Sequence, residues 1–106
     1  MKKYHDIFGE FIGSMLMVFM GCGSVAIAVL YYPLSLWQIA LIWSTAVALA
    51  IYTVKGFSQA HLNPAVTLAM AITQKTKWQK VPMYFLAQLV GAVFASFILY
   101  ALINKD

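Results

Sequence analysis

A chain of 106 residues that is 63% hydrophobic and only 9% charged has too little polar surface for a water-soluble domain, and is long enough for one domain. Its net charge of +4 comes from seven lysines against three acidic residues, with no arginine, and gives no reason to expect a nucleic-acid partner. Six of the seven lysines sit in short segments beside apolar runs, where positive charge sets the orientation of a membrane protein.

The first apolar run predicts a span over about 7–30. Gly9 and Gly13, spaced by four, and Gly21 and Gly23 further on admit a second helix backbone at close range. Tyr31-Tyr32-Pro33 stops the run at an interface, where tyrosine is favoured. The apolar stretch from Phe11 to Leu30 exceeds the ~7–15 residues of a secretory h-region, so the segment reads as a retained helix. Cys22 is the sole cysteine, cannot form an internal disulfide and reads as an inert packing residue. A second span over about 37–54 carries Ala40, Ser44 and Ala48 on one face, a close-packing stripe, and ends at Lys55-Gly56. A third, over about 81–103, repeats that spacing with Ala87, Gly91 and Ala95 and finishes at Asn104-Lys105-Asp106.

Between the second and third spans lies a stretch that breaks the pattern. Asn63 is a good N-cap and Pro64 suits the first helical position, because its missing N–H has no partner there anyway. The helix they start runs over about 64–72, and at ~1.5 Å per residue it is roughly half as long as a ~30 Å hydrocarbon core is thick. Ser58, Gln59, His61, Asn63 and Pro64 precede or open it, and such irregular polar backbone is tolerated at membrane depth only where protein or a water-filled cavity satisfies it. A re-entrant half-helix also keeps Lys2, Lys3, Lys55, Lys75, Lys77 and Lys80 on one side, leaving Lys105 on the other. The expected fold is an all-α membrane protein with three transmembrane helices and one re-entrant half-helix, a single domain over 1–106, multi-pass in the cell membrane with a cytoplasmic amino terminus.

Glu10-Phe11, Trp37-Gln38-Ile39, Ser58-Gln59-Ala60-His61-Leu62-Asn63-Pro64-Ala65-Val66-Thr67 and Gln88-Leu89-Val90-Gly91-Ala92 together closely resemble the major intrinsic protein family of aquaporins and glycerol facilitators. The resemblance covers nearly the whole chain but only the first of the two inverted repeats of a full-length member. It implies one repeat of the aquaporin-like fold, with Asn63, Pro64 and Ala65 as the pore-midpoint box. The carbonyls of Gln59, Ala60, His61 and Leu62 line the cytoplasmic mouth, Glu10 is a carboxylate holding the loop through backbone N–H groups, and Trp43 is the aromatic wall of the selectivity constriction. Gln59 stands where the family usually has glycine. Tryptophan at position 43 favours glycerol over water alone, since an indole face supports the carbon side of a polyol.

Several of these residues also have a plainer reading: Asn63-Pro64 as an ordinary turn or helix start, His61 as a packed polar residue, Trp43 as an aromatic in a membrane helix, Glu10 as a solvated interfacial charge. His61 has no partner ligand at i+3 or i+4, so neither a metal nor a cofactor is expected. The expected function is a passive channel component for glycerol, other small neutral solutes and water. It needs a second aquaporin-like half and assembles into a higher oligomer in the lipid bilayer. The six-to-one lysine bias argues against supplying that half by opposite insertion of the same chain. The alternative is a truncated, non-conducting membrane protein of the same family. An enzyme is not expected, because Glu10, His61 and Asp106 lie at different membrane depths.

Overall fold

The computed structural model describes residues 2–104 and contains helices joined by short turns, with no strand among the described residues. Met1, and the Lys105-Asp106 end at which the third span is expected to finish, lie outside them. Helix α1 (Lys2–Leu30) lies between α2 (Leu36–Val54) and α4 (Val81–Ile103) and packs on both, while the short α3 (Pro64–Ile72) leans on α4. A 3₁₀ turn, Trp78–Lys80, leads into α4. Three segments, His5–Leu30, Leu36–Val54 and Trp78–Ile103, are long and apolar enough to cross a bilayer. At nine residues α3 is not, since it extends only about 14 Å.

Local chemistry explains the helix ends. Ser35 caps α2 by accepting from the Gln38 N–H at 3.1 Å, and the Gln38 side chain accepts from the Ser35 N–H at 2.8 Å, a reciprocal capping box. Helix α1 begins at Lys2, more than a turn before the apolar run starts at position 7. Asp6, in that extension, is buried and ties it to α4: its carboxylate pairs with Lys80 and accepts from the Tyr84 hydroxyl at 3.1 Å. Lys80, expected only as an orienting charge, is therefore also a structural partner.

The close approach of α1 and α4 rests on a missing side chain. A Cβ at Gly91 would lie 2.5 Å from the Phe11 carbonyl oxygen and 3.2 Å from the Met15 nitrogen, so the two backbones touch there. Ala87, Gly91 and Ala95 are all buried, as their spacing predicts. On α2 the stripe differs from the expected one. Ala40, Ser44 and Ala48 are exposed, and Ala46, Ala50 and Val54 are fully buried against the rest of the chain. Both sets recur at i, i+4 and i+8, so spacing alone did not choose between them. Leu62 makes the choice: Ala50, Val54 and Leu62 form one apolar cluster with Ile12, Leu16 and Met17 of α1. The loop side chain thus wedges between α1 and the buried edge of α2.

Gly91→Val should therefore destabilise the helix pair by about 1–3 kcal/mol, the usual cost of overpacking, seen as a lower unfolding midpoint in detergent. Ala48→Val, on the exposed stripe, should change stability by no more than ~0.5 kcal/mol.

Candidate functional site

The site is the segment that turns out of α2 and into α3. Ala60 and Leu62 adopt left-handed backbone conformations, with φ of 54° and 57°. For residues with a Cβ this costs on the order of 1 kcal/mol each. Gln59, at the position where glycine is usual in the resembled family, does not share that conformation, so its side chain is accommodated without strain. It is used instead as an acceptor, for the buried Thr76 hydroxyl donates to Gln59 Oε1 at 2.7 Å and ties the two ends of the re-entrant segment together.

Glu10 holds the strained turn. Its carboxylate is fully buried and accepts four hydrogen bonds: Oε2 from the Ser58 hydroxyl at 2.9 Å and the His61 N–H at 3.1 Å, and Oε1 from the Leu62 N–H at 2.8 Å and Gln88 Nε2 at 2.8 Å. Hydrogen bonds to a charged group contribute roughly 1.5–3 kcal/mol each, enough to offset two left-handed residues. Ser58 reinforces the turn by accepting from the Ala60 N–H at 2.9 Å. Gln88 has a second role, since its Nε2 also donates to Thr67 Oγ1 at 2.9 Å. Thr67 in turn bonds His61 Nδ1 at 3.0 Å, and the imidazole rests 5.0 Å from the Tyr84 ring. The loop is thus fastened to α1, α3 and α4 at once.

With its N–H groups so engaged, the segment leaves its carbonyls free. Gln59, Ala60, His61 and Leu62 make no carbonyl hydrogen bond to any described residue. Four consecutive free acceptors lead to Asn63, which is exposed and extended (φ −158°, ψ 128°) and whose Oδ1 accepts from the Ala65 N–H at 2.7 Å. Because the oxygen caps α3, the Asn63 NH₂ is left over as a donor at the positive end of the helix. Pro64 follows at the first helical position and needs no N–H partner. A row of acceptors ending at a donor offers matched hydrogen-bond partners to a neutral hydroxyl compound, and a positive helix end opposes cations.

Trp43 lies apart from this row. Its ring is seated over Gly21, where an added Cβ would come within 2.5 Å of it. Leu62 fills the corresponding space over Gly13, so the two contacts are about 12 Å apart along α1. The structure therefore gathers Glu10, Gln59, Ala60, His61, Leu62, Asn63, Pro64 and Ala65 into one site, with Trp43 at a separate level.

Ser58, Thr67 and Gln88 carry this geometry without having been assigned a role from sequence. Gln88 bore a signal, as an amide within a predicted span at membrane depth. Ser58 and Thr67 offered less, because either suits a turn or a helix on its own.

A family model described as "Major intrinsic protein" matches residues 1–106. The chain is 44% identical over 95 residues to a "Glycerol uptake facilitator protein" of Haemophilus influenzae, covering 89% of this chain and 36% of that protein. It is 42% identical over 90 residues to "Aquaglyceroporin-3" of Trypanosoma brucei brucei, covering 85% and 30%. It is 40% identical over 90 residues to a "Probable aquaporin NIP-type" of Nicotiana alata, covering 85% and 33%. The chain spans about a third of the length of these curated relatives.

Replacing Glu10 with Ala strips four donors of their acceptor. Hydrogen exchange at the His61 and Leu62 amides should then speed up by at least about tenfold, equivalent to ~1.4 kcal/mol. Gln88→Leu, which leaves three of the four bonds, should give a smaller rise at the same two amides.

Proposed function

The chain belongs to the major intrinsic protein family, corresponding to its amino-terminal half, and from that premise we propose that it is a component of a passive membrane channel for glycerol, other small neutral solutes and water. It is a multi-pass membrane protein. The observation that carries the reading is the run of four free carbonyls, Gln59 to Leu62, ending at the spare NH₂ of Asn63. In the proposed mechanism a hydroxyl compound gives up hydration stepwise, donating to successive carbonyls and then accepting from Asn63. The positive end of α3 raises the energy of a cation or proton at the same point.

Trp43 is assigned to the selectivity constriction, its indole supporting the carbon face of a polyol. Its separation along α1 from the Leu62 contact supports a constriction distinct from the midpoint. Glu10 is assigned to hold the carbonyl row in register. Channels are not enzymes, and the reading gives no residue a catalytic role.

Three helices and one half-helix make part of a pore wall, so the proposal includes a second aquaporin-like half and a higher oligomer built from completed units. Orientation follows from the lysines: the amino terminus and the loop from Lys75 to Lys80 are placed on the cytoplasmic face of the cell membrane.

Co-expression with a matching second half should raise glycerol uptake by cells above that of either half alone. Asn63→Asp, whose carboxylate cannot donate, should lower that uptake about tenfold, the effect of losing roughly 1.4 kcal/mol. Trp43→Phe should raise the ratio of water to glycerol flux. Uptake that no partner raises and Asn63→Asp does not alter would instead identify a non-conducting member of the family.

A further inference from the structure

The backbone of His61 serves the site through its N–H and carbonyl, but its imidazole has a partner of its own. Nδ1 lies 3.0 Å from Thr67 Oγ1, and both side chains are enclosed, His61 at 5% exposure and Thr67 at 0%, so solvent does not decide which of the two donates. Gln88 decides it. The Glu10 carboxylate only accepts, so the Gln88 group that faces it at 2.8 Å is the NH₂, and the second hydrogen of that NH₂ goes to Thr67 Oγ1 at 2.9 Å. Thr67 Oγ1 is thus already an acceptor. Its single hydrogen is left with one acceptor among the described residues, His61 Nδ1.

An Nδ1 that accepts carries no proton, which places the proton of the imidazole on Nε2. Nε2 is buried without a hydrogen-bond partner among the described residues, so this form leaves one group unpaired, the Nε2–H. With the proton on Nδ1 instead, two are unpaired, the Nε2 lone pair and the Thr67 hydroxyl hydrogen. The imidazolium leaves both the Nε2–H and the Thr67 hydrogen unpaired and buries a charge as well. Each buried polar group without a partner costs free energy, so the form with the fewest is favoured. We infer that Thr67 is a positioning residue that donates to His61 Nδ1 and holds the imidazole neutral in its Nε2–H form, completing a one-way chain of donors from Gln88 through Thr67 to His61. Residue 61 is then held twice, at its main-chain N–H by Glu10 of α1 and at its ring by Thr67 of α3. The inference does not depend on conduction.

The test is proton–nitrogen correlation NMR at neutral pH on the full chain in lipid vesicles, with isotope-labelled histidine and a His5→Gln change that leaves His61 as the one imidazole observed. The expected result is a directly bonded proton at Nε2 and none at Nδ1. Thr67→Ser, which keeps the hydroxyl, should preserve that pattern. Thr67→Val, which keeps the shape and removes the donor, should move the Nδ1 resonance downfield or bring in the Nδ1–H form. A proton on Nδ1 in the chain with native Thr67, alone or together with Nε2, overturns the assignment, and this readout decides even where the valine variant fails to insert. An Nδ1 resonance that Thr67→Val leaves in place overturns it equally.

Discussion

A carboxylate buried in a membrane protein is stable only where donors surround it, and the form of this chain follows from how Glu10 meets that condition. Two of its four donors are main-chain N–H groups, of His61 and Leu62, and these face Glu10 because the backbone at Ala60 and Leu62 is turned into the left-handed region. The charge and the strain sustain one another. Without the strained turn the carboxylate lacks donors, and without the carboxylate the turn has nothing to offset its cost.

The orientation of the carbonyls is a consequence of the same arrangement. A peptide unit whose N–H is directed to Glu10 has its carbonyl directed the other way, and the carbonyls from Gln59 to Leu62 are left without partners among the described residues. For the Ala60 and His61 carbonyls, whose peptide units carry the His61 and Leu62 N–H groups, the free acceptors on which the proposed conduction depends are therefore turned outward by the carboxylate behind them. Asn63 continues the logic at the next residue, its oxygen spent on capping α3 and its NH₂ spare.

Around this centre the chain repeats one device, the removal of side chains where a neighbour must come close. Gly91 lets α4 meet the α1 backbone, Gly13 receives Leu62 and Gly21 receives the Trp43 ring. In lipid, where apolar side chains gain nothing by leaving the solvent, such close contacts and buried polar bonds carry the helix association. Asp6, Lys80 and Tyr84 add a polar fastening near the start of α1 and α4, which explains why α1 is helical before its apolar run begins.

Composition, the lengths of the apolar runs and the pairing of Asn63 with Pro64 were enough to determine an all-helical membrane chain and the start of its short helix α3, because hydropathy and capping act over a few neighbouring residues. Glu10 as the holder of the loop came from family resemblance, and its two remaining donors, Ser58 and Gln88, did not: they lie 48 and 78 positions away, and nothing local announces that they meet. The buried stripe of α2 was equally undecided, since Ala40, Ser44 and Ala48 share the spacing of Ala46, Ala50 and Val54. Only the tertiary structure resolved these points, because each depends on which surfaces of α1 the loop and the other helices occupy together.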